Sequence, residues 1–373
     1  MNNPISKVEK ETRFQAYELL SRFRQLSRSD IAKELGINIL SVKRTMQYFL
    51  DRGMARDLGG SVAKRYVFVP EAAHAIAAIY EGSVLSVGMV NIGGDLVIDE
   101  TVEVTGDIKE LLVTKPSELA RRLIRKLPAQ GEKVERLLGF GICLPGVVNH
   151  EARELSFAPS LGIEEPYGIG PLMDELSATL SLPVYMENDV NAAVYGEASF
   201  RNSKDLAFIA LGSGVGMGLV LDGKLRCGPT YSAGEAGMLP YQNLETSDKR
   251  GKILSIEQLI GLDALKERYG FTHWYELSDL SDRQKAEMLD LIAKATTHII
   301  ITCAAILDIK DFVLGGILVD LMGDRLLERT RERAKLLSPF KLDIQTNKCV
   351  NPAINGIARM AIDHEIINIG KEN

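Results

Sequence analysis

Four side chains in one short stretch carry the most readable chemistry of this sequence. From about Ile39 to Arg52, apolar residues recur at helical spacing, with Val42, Met46, Phe49 and Leu50 on one face. That arrangement leaves Ser41, Lys43, Arg44 and Gln47 pointing outward. Arginine and lysine donate to guanine edges or phosphates and glutamine pairs with adenine, so this face has the chemistry of major-groove reading. A little further on, Lys64 and Arg65 follow Gly59 and Gly60, where they could hold phosphate or enter a minor groove. A second kind of chemistry lies in glycine-rich turns such as LGSGVG (Leu211 to Gly216), whose backbone N–H groups approach an anion or polar ligand without side-chain obstruction.

The elements that must position these groups follow from local signals. TRFQAYELLSRFR, residues 12–24, places Phe14, Tyr17, Leu19, Leu20 and Phe23 on one stripe of a first helix. Ser27 or Ser29 can cap a short helix ending at Leu35, and Gly36 supplies a left-handed turn before the third helix. MARDLGGSVAKRYVFV then reads as two short strands around Gly59 and Gly60. Helix, turn, helix and wing make residues 1–70 a winged helix-turn-helix domain, although three helices at this spacing also form small interaction modules without DNA. From about residue 73 short β-rich runs alternate with helical stretches, the pattern of an α/β architecture over residues 71–373. TTHIIITCAAILDI reads as a buried helix within a largely helical segment, residues 274–335.

Composition bounds the rest. At 373 residues with 46% hydrophobic and 25% charged side chains the chain has the make-up of a globular protein of two or three domains, not a disordered or fibrous one. No uninterrupted apolar run has the roughly 18 residues a membrane span requires and the N-terminus lacks a secretory-type stretch, so the expected location is cytoplasmic, with no membrane partner. Cys143, Cys227, Cys303 and Cys349 stand far apart with no Cys-x-x-Cys pair, which points to structural thiols. Charge is uneven: Lys7 to Arg65 holds 13 basic against 7 acidic residues, or +6, leaving −12 for the remainder of a chain whose total is −6. A basic head on an acidic body is the footprint of a nucleic-acid module joined to a larger non-binding domain.

Six ordered blocks are similar to one known family. They are GICLPGVV (Gly141 to Val148), LPVYMENDVNAAVYGE (Leu182 to Glu197), LGSGVGMGLVLDGKL (Leu211 to Leu225), AGEAG (Ala233 to Gly237), SIEQL (Ser255 to Leu259) and VLGG (Val313 to Gly316). Together they resemble the ROK family of repressors, open reading frames and sugar kinases, and the match includes the winged helix of its repressor branch. The resemblance implies a two-lobed actin-like ATPase (ribonuclease H-like) domain, with lobe one near 71–187 plus the C-terminal helices and lobe two near 188–350. It also implies sugar ligands at Asn188, Asp189, Glu235 and Glu257, with Asp189 in the place of the family's general base. Without a sugar, Asn188 and Asp189 would serve as caps of a helix starting near Val190.

Departures from the family pattern qualify its activity. Family kinases carry an Asp-x-Gly-x-Thr phosphate loop where this chain has Ile79-Tyr80-Glu81-Gly82-Ser83, and an aliphatic Ile79 offers no hard oxygen to Mg²⁺. Ser160 stands where the family often has Asn, and Met238 where it has His. That His is also a zinc ligand, followed by three cysteines whose places here fall on Asp248, Arg250 and Ser255, so no zinc and no other cofactor is expected. The resulting reading is a homo-oligomeric, sugar-responsive transcriptional regulator without kinase activity. As a homodimer or dimer of dimers it would bind an inverted-repeat operator DNA and respond to a small sugar effector. The alternatives are an ATP- and Mg-dependent sugar kinase with Asp189 as base, and a regulator whose sugar site has decayed.

Overall fold

The computed structural model describes residues 7–59, 64–126, 136–158, 161–241 and 254–368. In the N-terminal segment, α1 (Lys7–Phe23) buries Ala16, Tyr17 and Leu20. β1 (Gln25–Ser27) leads into α2 (Arg28–Leu35), and Ser27 begins that helix with a reciprocal pair: its hydroxyl accepts from the Asp30 N–H at 3.1 Å, while its own N–H donates to the Asp30 carboxylate at 3.1 Å. Two donors that a helix start leaves open are thereby satisfied. Hydrogen bonds from the Ser27 hydroxyl and N–H hold the Asp30 carboxyl below its ordinary range. Gly36, at φ +63°, ends α2 in the left-handed conformation that a side chain would strain.

Asn38 then caps α3 (Ile39–Asp51), its Oδ1 accepting the Ser41 N–H at 2.9 Å. Val42, Met46 and Phe49 are fully buried on the inner face. β2 (Ala55–Asp57) and β3 (Arg65–Phe68) complete an antiparallel sheet in the order β1-β3-β2, which gives a winged helix-turn-helix. Phe23 departs from the helical stripe: it is 45% exposed under the Arg22 guanidinium, because the chain turns off at Arg24 with φ +60°.

The remaining strands form the same pattern twice. In the first sheet, β4 (His74–Glu81), β5 (Val84–Asn91) and β6 (Leu96–Glu103) make an antiparallel meander. After α4 (Lys115–Lys126), β7 (Leu137–Leu144) adds parallel to β4. A small antiparallel sheet of β8 (Val147–Asn149), β9 (Glu154–Ser156) and β10 (Tyr167–Gly168) follows, then α5 (Gly170–Leu180) and β11 (Val184–Asn188), parallel to β7. The order is β11-β7-β4-β5-β6.

After α6 (Asp189–Arg201), β12 (Leu206–Leu211), β13 (Val215–Leu221) and β14 (Lys224–Leu225) form a second meander. Next come α7 (Glu257–Ile260), α8 (Leu262–Tyr269), α9 (Asp282–Leu307), β15 (Asp311–Gly315), α10 (Ile317–Met322), α11 (Asp324–Leu337), β16 (Asp343–Thr346) and α12 (Pro352–Asn368). This order, β14-β13-β12-β15-β16, again sets the first strand between a meander and two parallel strands. Each sheet is thus ribonuclease H-like, and the duplication is the actin-like ATPase plan.

The chain divides into two compact units, one running to Asp189 and resuming at Ile354, the other Val190–Ala353. The winged helix groups with the first unit, and Tyr17 explains why. Its hydroxyl donates to the Ile92 carbonyl at 2.7 Å, just after β5, and its ring lies 4.4 Å from the Arg359 guanidinium of α12, which is paired with Asp363 at 2.6 Å. Burial pushes the Tyr17 phenol far above its usual range.

By length and composition α9, which contains the segment read from sequence as a buried helix, is apolar enough to cross a bilayer. Its Met288, Ile292, Ile299 and Ile300 are instead packed into the core of the second unit.

Tyr17→Phe is expected to lower stability by about 1 kcal/mol through loss of one buried hydrogen bond, and Tyr17→Ala by about 3–5 kcal/mol through the cavity as well. Urea unfolding midpoints of the full chain check this; a Tyr17→Phe midpoint equal to the parent's would rule out a contribution from the Ile92 bond.

Candidate functional site

The structure brings Ser41, Lys43, Arg44 and Gln47 onto the outward side of α3, with Lys43, Arg44 and Gln47 exposed and Ser41 half-buried. Gln47 is not idle there, since its side-chain amide donates to Asp51 Oδ1 at 2.7 Å. Lys64 sits at the base of the wing and pairs with Asp57 Oδ2 at 3.1 Å, while Arg65 is exposed at the start of β3. The Gly59 N–H, and then Lys64, hold the Asp57 carboxyl below its ordinary range. Gly60 lies outside the described residues.

In the first unit, polar groups converge where β11 meets α6. That helix begins at Asp189, one residue before the start read from sequence. Asn188 Nδ2 donates to the Gly146 carbonyl at 2.9 Å, and its N–H donates to Glu187 Oε1 at 2.7 Å. Glu187 is buried, with its second oxygen 3.0 Å from His150 Nε2. Sequence reading missed both His150 and Glu187 as the groups that orient Asn188; their separation of 37 residues gave no local signal. On the same sheet, Ile79 lies two residues before the end of β4, opposite Ser86 of β5 and Cys143 of β7, ahead of the turn at Gly82 and Ser83. The place of the phosphate-loop aspartate is therefore held by a buried aliphatic side chain, and Glu81 stands exposed at the hairpin end.

The second unit brings Glu235 and Glu257 to one cavity of about 330 Å³, lined also by Gly237, Met238, Ser255 and Gln258. That size falls at the small end of ligand pockets, roughly 300–1,000 Å³. Gly234 makes the close approach possible: a Cβ on it would lie 1.7 Å from the Met217 carbonyl oxygen, and its φ is +96°. Glu257 is anchored, its Oε2 accepting the Val215 N–H at 2.9 Å at the start of β13. Glu235 is exposed, and partial desolvation together with the Glu257 charge pushes its carboxyl above the usual range. Asn188 and Asp189 belong to the first unit and Glu235 and Glu257 to the second.

Of the positions matching zinc ligands, Met238 is 69% exposed and Ser255 is engaged with Gln258, donating its N–H to Oε1 at 3.0 Å and accepting the Gln258 N–H at 3.3 Å. Asp248 and Arg250 lie outside the described residues, as does Ser160.

Three helices and a three-stranded sheet followed by two ribonuclease H-like sheets, with carboxylates and amides at the ends of strands, define a protein of the actin-like class with an additional N-terminal head. A model of the ROK family matches residues 88–347, and the chain belongs to that family. It is 22% identical to a xylose repressor of Caldicellulosiruptor bescii over 365 residues, covering 88% of this chain and 89% of that protein. It is 32% identical to a glucokinase of Streptomyces coelicolor over 161 residues, 41% of this chain and 49% of that one. The crystal structure of a ROK family transcriptional regulator, a homologue of Escherichia coli Mlc, superposes with a TM-score of 0.79 at 16% identity, covering 98% of this chain and 99% of that one.

The raised Glu235 carboxyl has a consequence for stability. A folded-state pKa above the unfolded one makes the group's contribution most favourable below the ordinary value of 4.5 and loses it as pH rises through the folded value. Glu235→Gln is therefore expected to raise the melting temperature at pH 7.5, with the gain shrinking toward pH 4.5. Melting curves across that range check it, and an equal or lower melting temperature at pH 7.5 would refute the electrostatic account.

Proposed function

We propose that this protein is a sugar-responsive transcriptional repressor of carbohydrate uptake or catabolic genes, without kinase activity. The observation that carries this reading is the coexistence, in one chain, of an exposed Lys43 and Arg44 on a capped recognition-type helix and an Ile79 at the phosphate hairpin. Phosphoryl transfer depends on positioned metal and charge neutralisation, for which Ile79 supplies no ligand. The near full-length similarity to a protein named xylose repressor supports the same reading. Operation in the cytoplasm follows from the role.

Lys43, Arg44, Gln47 and Ser41 would enter the major groove, and Lys64 and Arg65 of the wing would hold the backbone. An inverted-repeat operator and a homodimer or dimer of dimers would then place recognition helices one turn of DNA apart, about 34 Å, or a multiple of it. Asn188 and Asp189 in the first unit and Glu235 and Glu257 in the second are the proposed sugar ligands. Glu235 beside Glu257 favours a ligand rich in hydroxyl donors and opposes a phosphorylated one, since a further anion would add repulsion to two neighbouring carboxylates. No zinc is part of this proposal, because Met238 offers no imidazole and Ser255 no thiolate.

A kinase reading is favoured by one observation, the intact Gly212-Ser213-Gly214 turn between β12 and β13, together with the glucokinase similarity. It requires Asp189 as base and turnover with ATP, Mg²⁺ and a hexose.

Selection of genomic fragments by the purified protein, followed by binding titrations at several salt concentrations, tests the proposal. The double variant Lys43→Ala with Arg44→Ala is expected to weaken operator binding at least 10-fold and to flatten the salt dependence by roughly 2 counterions per recognition helix. Unchanged affinity and slope would remove α3 from the interface. Fragment recovery at background level with sugar phosphate formed in the ATP assay would replace the repressor by the kinase.

A further inference from the structure

The first turn of α3 carries two large aliphatic side chains in the open, Ile39 at 48% and Leu40 at 69% exposure. Neither is needed to build the helix: Asn38 supplies the cap, and Val42, Met46 and Phe49 supply the buried face. In helical register Ile39 stands above Lys43 and Gln47, and Leu40 stands above Arg44, so the apolar pair and the cations form one continuous surface. The first turn holds no acidic residue. A second copy of this chain docked face to face here would set Lys43 and Arg44 against their own images. A polyanion that also offers small apolar groups suits the surface better. The major groove of DNA is such a partner, and the thymine C5-methyl is the apolar group on its floor.

Resting on the DNA-binding reading above, we propose that Ile39 and Leu40 read thymine methyl groups in the operator, so that they specify bases while Lys43 and Arg44 mainly hold phosphate or guanine. The operator half-site then contains thymine at one or two positions beneath the N-terminal turn of α3. Those positions tolerate 5-methylcytosine at the methyl but lose contact with uracil.

The test uses the full-length protein and the operator duplex recovered by selection, with each half-site thymine replaced in turn by deoxyuridine, which deletes the C5-methyl and keeps the base pair. Fluorescence anisotropy is expected to show about 4-fold weaker binding at one or two positions, the value of one buried methyl group. That penalty should vanish in Leu40→Ala or Ile39→Ala, whereas Lys43→Ala should lower overall affinity and the salt slope while retaining the penalty. Both aliphatic positions are exposed, and an unchanged melting temperature verifies that these variants fold.

Tight operator binding with no uracil-sensitive position would overturn the inference and leave the repressor reading standing. A penalty that persists in both aliphatic variants would assign it to DNA shape and likewise overturn the contact. Loss of oligomer mass in Leu40→Ala by sedimentation, with the uracil response unaltered, would reassign the face to self-association. Failure to bind any duplex sinks the DNA-binding reading itself.

Discussion

Tyr17 holds the N-terminal head to the rest of the first unit, and the placement of the proposed recognition helix depends on that attachment. Here a phenol hydroxyl is committed to the Ile92 carbonyl after β5, and its ring is covered by Arg359 of α12. Arg359 is itself held by Asp363 one turn further on. Removing one member of a buried pair leaves the other charge poorly compensated, so this joint resists partial loosening. α12 (Pro352–Asn368) thereby carries both members of the Arg359–Asp363 pair against the ring of Tyr17.

The two ribonuclease H-like sheets have kept different parts of a common plan. In the second, the Gly212 to Gly214 turn closes on itself, the Gly212 N–H donating to the Gly214 carbonyl at 3.0 Å, and Glu257 is drawn in to accept the Val215 N–H. In the first, Ile79 near the end of β4 is 8% exposed, packed as a core residue rather than presented as a ligand. Glycine turns are retained by backbone geometry whether or not they bind phosphate, whereas a metal-linked carboxylate has no such second use. Loss of the aspartate therefore says more about chemistry than survival of the glycines does.

What the sequence made legible was local. Ser27, Gly36 and the Val42, Met46 and Phe49 stripe act within one or two helical turns, and each appears in the fold in the place their spacing indicated. Ordered blocks such as AGEAG and VLGG pointed to the family that the comparison then showed. The illegible parts join residues far apart in the chain. Tyr17 meets a carbonyl 75 residues on, and His150 meets Glu187 across 37 residues. Phe23 belongs to the apolar stripe by spacing, yet the turn at Arg24 removes its cover. The duplicated plan was legible only through the family resemblance and not through strand patterning, since β14 is two residues long and leaves no alternation to read.

The polar sites of the two units also differ in how they are held ready. Asn188 is fixed by partners on both ends, its amide on the Gly146 carbonyl and its backbone on Glu187, so as a proposed sugar ligand it would be oriented in advance. Glu235 is instead exposed, beside a second carboxylate whose Oε2 accepts the Val215 N–H. Two neighbouring carboxylates repel each other, and a ligand that donates hydrogen bonds to both offsets that repulsion, whereas a further anion adds to it. Hydroxyls of a neutral sugar donate without adding charge, and that complementarity is what links this pair of acceptors to the effector class proposed for it.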